Sequence, residues 1–215
     1  MKHTWNDDQI RDYLINHIKK SIIDDVGGAL IGWSSQMHNK KYIAGSFAVP
    51  RMLFPEIDGL GSYITGNPKS TGSNIKTYIS NILGESNHKY KEFAGFIVFI
   101  FRHGLLHQHQ PKEFTHNNKQ IGWEFRISDP NNPIEVNEKY HLEFKSDVLT
   151  IDANIFYRDI VNSVEGFAED VITKYRSTFE TSLDAQMKSL TKESLLKEVK
   201  YLEDTDFTFL ETYEI

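Results

Sequence analysis

Residues 90–107 read YKEFAGFIVFIFRHGLLH, from Tyr90 to His107. Aromatic and aliphatic side chains occupy most of the helical circumference of this stretch, which predicts a helix buried in the middle of a bundle. Its unbroken apolar run, Phe93 to Phe101, covers nine residues, where a membrane span needs roughly twenty. It is read as core, and no membrane partner is expected. Pro111 limits how far the helix can extend.

The bundle extends to the N-terminal side. Ile10, Tyr13, Leu14, Ile18, Ile22, Val26, Ala29, Leu30 and Trp33 recur at three-and-four spacing, predicting one long helix from Asp7 to about Met37 with Asn6 as N-cap. Gly27 and Gly28 allow close packing or a bend, and His38 to Lys41 form a loop. The acids Asp7, Asp8, Asp24 and Asp25 read as first-turn or solvated helix residues. Pro50 and Pro55 predict a short or broken helix between Ala44 and Thr65. The turn-rich GNPKSTGSN, Gly66 to Asn74, predicts a loop before a short helix from Ile75 to Leu83. Gly59, Gly61 and Gly66 lack the spacing of a phosphate-binding loop and are assigned to packing and turns.

On the C-terminal side the period changes to two. Ile121, Trp123, Phe125 and Ile127 alternate with polar residues, as do Tyr140, Leu142 and Phe144, and then Leu149 and Ile151. Turns are expected at Asp129 to Pro133 and at Lys145 to Asp147. Asp152 or Asn154 caps a helix to about Phe179, with Ile155, Ile160, Val161, Val164, Phe167, Val171, Ile172 and Tyr175 inward. A last helix follows from about Leu183 to Leu202, then an acidic, aromatic tail. The expected fold is mainly α: a bundle of about five to six helices in a single domain, residues 1–215. A small antiparallel β meander, about residues 119–151, is inserted before the penultimate long helix. Trp123, Phe125 and Tyr140 could stack on bases, but alternating aromatics usually form the buried face of a sheet.

The chain has 215 residues, 39% of them apolar, no cysteine and a formal charge of −6. That length supports a real core without staples. The missing cysteines exclude disulfides and thiol chemistry, and with no apolar leader after the charged start the expected location is cytoplasmic. The acidic balance provides no general field for nucleic acid, so RNA binding would need a local basic pocket.

The chemistry concentrates in FRHGLLHQHQPKEFTH, Phe101 to His116, which holds four of the nine histidines. His103 and His107, four apart, share a helix face. A neutral imidazole can draw the proton from a ribose 2′-hydroxyl while an arginine fork steadies the scissile phosphate, giving a 2′,3′-cyclic phosphate with neither metal nor cofactor. Arg102, His103 and His107 (RHGLLH) resemble the motif of the HEPN superfamily, helical bundles whose ribonuclease members carry an Arg, four to six residues, then His. The resemblance implies a symmetrical homodimer with both motifs lining one cleft, RNA as partner, and toxin–antitoxin or phage-defence settings with a cognate partner. Arg102 then clamps phosphate, His107 acts as base or acid, His103 orients or carries a second proton, and His109 and Lys112 are candidate substrate contacts. The spacing alone is weak, since Arg11 to His17 (RDYLINH) also fits. Two other readings stand beside it: a non-catalytic interaction module in which Arg102 and His107 finish a helix end, and a metal-dependent hydrolase drawing ligands from His103, His107, His109, Glu113 and His116.

Overall fold

The computed structural model describes residues 4–37, 48–103, 114–126 and 140–188. Helix α1, residues 7–37, runs unbroken from a capping box in which Asn6 accepts from the Gln9 N–H (2.9 Å) and the Gln9 side chain accepts from the Asn6 N–H (3.0 Å). Ile10, Leu14, Ile22, Val26 and Leu30 form its buried stripe. Gly27 does not bend it; a Cβ there would stand 2.6 Å from the Tyr157 hydroxyl of a neighbouring helix. The loop expected at His38 to Lys41 lies outside the described residues.

Helix α2, Ala48–Thr65, is whole rather than broken. Pro50 sits in the first turn, where its missing N–H costs nothing. Pro55 forfeits a ladder bond that burial of Leu53, Phe54, Ile57 and Leu60 offsets. Gly66 ends the helix in the left-handed region (φ 69°), donating to the Ser62 carbonyl at 2.8 Å. Helix α3, residues 71–86, starts earlier than its turn-rich composition predicts. The reason is tertiary. The fully buried Asn74 donates to Asp58 Oδ1 (3.0 Å) and to the Asn67 carbonyl (2.9 Å), while Thr65 Oγ1 donates to its Oδ1 (2.6 Å). There α2 and α3 nearly touch: a Cβ on Gly61 would stand 2.1 Å from the Asn74 carbonyl oxygen.

Helix α4, residues 88–103, is capped by Asn87, which accepts from the Lys89 N–H at 3.1 Å. It buries Tyr90, Ala94, Ile97, Val98 and Ile100 but leaves Phe96 and Phe99 45% and 41% exposed. The helix expected in the middle of the bundle is therefore corrected to one buried along a stripe, with α2 and α3 packed on that side.

The sheet holds β1 (Phe114–His116), β2 (Lys119–Arg126), β3 (Glu143–Lys145) and β4 (Val148–Asp152) in the order β1-β2-β4-β3. It lies where a small sheet was expected, but its pairing differs from an antiparallel meander: β2 and β4 run parallel, with Trp123 opposite Leu149 and Phe125 opposite Ile151. A parallel pair needs a long crossover, and residues 127–147, β3 among them, supply one in sequence. Ser146 and Asp147 at positive φ close the expected β3–β4 hairpin; Asn117 and Asn118 close an unforeseen one between β1 and β2. Tyr140 and Leu142 precede β3 rather than belonging to it. The turn expected at Asp129 to Pro133 lies outside the described residues.

Asp152 caps α5, residues 153–175, accepting from the Asn154 (3.0 Å) and Ile155 (3.1 Å) N–H groups. Ile155, Ile160, Val164, Phe167 and Val171 face inward as expected. The break before α6 (Arg176–Met187) falls at Tyr175 (φ −115°, ψ 10°), not near residue 180. Phe179, Ser182 and Leu183 are drawn into the core against α2, where Ser182 Oγ lies 2.7 Å from Ser62 Oγ and Thr178 donates to the Tyr63 carbonyl at 2.7 Å. Residues 189–202 of the expected last helix lie outside the described residues. One hydrophobic cluster joins the helices to Leu142, Leu149 and Ile151 of the sheet region. No helix among the described residues is long and apolar enough to cross a membrane.

A buried hydrogen-bond chain ties sheet to bundle. His141, 2% exposed, accepts the Asp152 N–H at Nδ1 (3.1 Å), so its neutral ring carries the proton on Nε2 and donates to Tyr90 Oη (2.8 Å). Tyr90 in turn donates to Asp159 Oδ2 at 2.9 Å. Burial first, then the nearby positive charges of Arg158 and Lys89, push His141 down to about 3.

Two consequences are measurable. Gly61→Ala must part α2 from α3 and should lower stability by about 1–3 kcal/mol in denaturant titrations; an unchanged midpoint would contradict the close approach. Between the ordinary histidine pKa and about 3, unfolded His141 binds a proton that the folded form refuses. Its contribution is therefore complete above about pH 6.5 and drains as pH falls, with a slope of up to about 1.4 kcal/mol per pH unit. Unfolding curves at pH 7 and pH 5 for the parent chain and His141→Gln measure this, and the difference between the two proteins should shrink at pH 5.

Candidate functional site

The first ten residues of α4, His88–Ile97, begin at a capped N-terminus, and Val98–His103 complete the helix. Arg102 and His103 are the last two described residues of this helix. His107, His109, Lys112 and Glu113 lie outside the described residues, so Arg102 and His107 are not brought together here. His116 is the last residue of β1, exposed, with its Nε2 3.2 Å from Asn117 Nδ2.

One cavity, of about 470 Å³, lies between α4 and the sheet, walled by Phe93, Phe96 and Ile100 on the helix and by Ile121, Phe144 and Leu149 on the strands. His116, Asn117, Lys119 and Asp147 complete its lining, with Lys119 and Asp147 paired at 3.7 Å. Residues 101–115 are thus bracketed by Ile100 and His116, both in the wall of this cavity. On the other side of Phe96 a second, more open groove of about 460 Å³ is lined by Lys76, Lys91, Glu92, Gly95 and Phe99. Phe96 forms the ridge between the two.

The walls owe their positions to residues of ordinary character in sequence. Tyr90, two turns before Phe96, is anchored through His141 and Asp159, and the same burial, followed by the charge of Asp159, pushes its phenol well above the usual tyrosine range. Leu142 holds a left-handed backbone (φ 54°) beside it, with its N–H donating to the Thr150 carbonyl at 2.9 Å. The sequence reading missed the exposure of Phe96 and Phe99 and the two recesses that Lys76, Lys91 and Lys119 help to line. One signal was present: Lys91, Glu92 and Gly95 interrupt the apolar circumference and mark a side of α4 that faces water.

The competing Arg11 to His17 match is used for structure. Glu169 on α5 grips the Arg11 guanidinium with both oxygens, at 2.7 and 3.0 Å, and this bond holds the Glu169 carboxyl below the usual range. His17 lies 3.6 Å from Asp12. Asp7, Asp8 and Asp24 behave as expected on helix surfaces, Asp24 pairing with Lys20 one turn away. Trp123 and Phe125 pack partly buried against the core, while exposed Tyr140 lies under Arg126 at 5.1 Å.

Among the described residues no three His, Asp or Glu side chains group in a way that could hold a metal ion. The ligands that a metal site would draw from His107, His109 and Glu113 lie outside those residues. No family model matches the chain, and no curated protein or solved structure matches it.

Proposed function

We propose that this is a HEPN-like RNA-binding protein that cleaves RNA without metal. The observation that carries the reading is the bracketing of residues 101–115 by Ile100 and His116 in the wall of one cavity. In this reading Arg102, His103 and His107, which lie in sequence between those two wall residues, deliver a guanidinium and imidazoles to that partly apolar recess. Such recesses, with a few convergent polar groups, are where ligands bind. The helical bundle, with its sheet before the last long helix, is compatible with the motif's setting.

In the proposed reaction a His107 nitrogen takes the 2′-hydroxyl proton, the 2′-oxygen attacks phosphorus, and the 5′-oxygen leaves with a proton delivered by a second group such as His103. The products are a 2′,3′-cyclic phosphate and a 5′-hydroxyl. Arg102 holds the non-bridging oxygens as charge builds. His109 and Lys112 contact the flanking strand. The family resemblance adds a homodimer with two motifs in one cleft and a cognate partner in a toxin or defence system.

The formal charge of −6 favours a second reading, a non-catalytic interaction module in which the same residues complete a helix end. The two part cleanly in one experiment. Purified protein is incubated in EDTA with single-stranded and structured RNA, and ends are identified by mass. Cyclic-phosphate products that fall about a hundredfold or more in Arg102→Ala and His107→Ala, with circular dichroism unchanged, are the expected outcome. Intact RNA at high protein concentration defeats the nuclease, and stoichiometric zinc or manganese in untagged protein would replace it with a metal-dependent hydrolase.

A further inference from the structure

We infer that the cavity between α4 and the sheet is a pocket for one unpaired guanine of RNA, with apolar walls against the faces of the base and the Lys119–Asp147 pair reading its Watson–Crick edge. The inference rests on the RNA-binding reading above and not on cleavage.

The strand order builds the site. Because β2 and β4 run parallel, with Gly122 opposite Val148, both begin at the same end of the sheet. The turn leading into β2, at Asn117 and Asn118, and the turn leading into β4, at Ser146 and Asp147, therefore stand side by side. A bond from the Gly122 N–H to the Asp147 carbonyl, at 2.8 Å, joins them. An antiparallel β2–β4 pair would send the two turns to opposite ends. The polar groups of the cavity, His116, Asn117, Lys119 and Asp147, all come from these turns and their edges, whereas its walls are apolar, with Phe93 on the helix and Phe144 and Leu149 on the strands. An apolar recess with polar groups gathered on one side holds a flat ligand by its edge. An apolar cavity of about 150 Å³ binds one benzene ring, so about 470 Å³ has room for the two fused rings of a purine.

The charged pair decides which base. A carboxylate only accepts hydrogen bonds and an ammonium only donates them. Lys119 Nζ lies 3.7 Å from Asp147 Oδ2, too far for a hydrogen bond, and among the described residues neither head group has a second partner. Guanine presents two adjacent donors, N1–H and the N2 amino group, beside one acceptor, O6. The carboxylate takes both donors and the ammonium reaches O6. Adenine and cytosine offer a single amino group next to a ring acceptor, and uracil sets a carbonyl on each side of its one N–H, so each leaves a carboxylate oxygen opposite an acceptor. A site built to hydrogen-bond an edge rejects ligands that lack it. The base must be unpaired, since pairing occupies this edge. Such a pocket also suits a chain of charge −6, because little of the affinity depends on neutralising phosphates.

The test is fluorescence anisotropy of the full chain with labelled 12-nucleotide 2′-O-methyl oligouridylates, which resist 2′-hydroxyl attack. One central position carries guanosine, inosine, adenosine or uridine. The guanosine strand should bind about tenfold or more tighter than the adenosine and uridine strands, with inosine, which lacks only the N2 amino group, between them. Asp147→Gly removes the carboxylate and suits the left-handed backbone there (φ 62°). It should erase the guanosine preference with circular dichroism unchanged, and Lys119→Met should bring the guanosine strand toward the adenosine strand. Guanosine 5′-monophosphate should compete with the guanosine strand more strongly than inosine 5′-monophosphate does. Equal binding of all four strands, or a guanosine preference that survives Asp147→Gly, overturns the pocket and leaves RNA cleavage through Arg102 and His107 standing. Binding of guanosine 5′-monophosphate with no strand bound assigns the cavity to a free nucleotide and overturns RNA as its ligand, and with it the reading above. Failure of every probe to bind removes both.

Discussion

Three hydrogen bonds in series, from the Asp152 N–H to His141, from His141 to Tyr90 and from Tyr90 to Asp159, fasten the sheet to the bundle. A sheet of four short strands has little independent stability, and much of this one faces away from the helices. The series gives it an address. It joins the strand β4, the turn before β3, the first turn of α4 and the second turn of α5, and each polar atom in it has a partner, as burial demands. Leu142 accepts a left-handed backbone immediately after His141, a strain that its burial and its bond to Thr150 hold in place.

The same fastening sets the two walls of the cavity. With Tyr90 anchored at the start of α4, the later turns of that helix stand off from the strands, and the gap between Ile100 and Leu149 is filled only in part. A helix pressed fully onto the sheet would cover Phe93 and Phe96 and lose the recess. The close approach of α2 and α3 at Gly61 works in the same direction from behind, since α4 rests on both. The exposure of Phe96 and Phe99 is thus a consequence of rigid supports rather than of a poor core, and departures of this kind tend to fall where a protein meets something else.

Much of the helical layout could be read directly along the chain. The stripe in residues 7–37 and the capping residues Asn6 and Asp152 act through neighbours three and four positions away, and local spacing suffices for them. The errors share a cause in long-range contact. Pro55 was expected to break α2, and the burial around it outweighed the lost bond. Thr71 to Asn74 looked like loop until Asn74 met Asp58 and Asn67, and the break near residue 180 moved to Tyr175 because Phe179 and Leu183 are needed against α2.

Composition and periodicity by themselves determined that the chain is mainly helical and that a short period-two region lies before the last long helix. Tertiary structure decided the rest: that β2 pairs parallel with β4, that His141 is a buried neutral link, that Arg11 is bound to Glu169, and that the apolar circumference of α4 has a side left in water. The physical reason is that period and capping depend on residues a turn apart, whereas strand order, desolvation and the covering of a helix face depend on which distant segments arrive beside it.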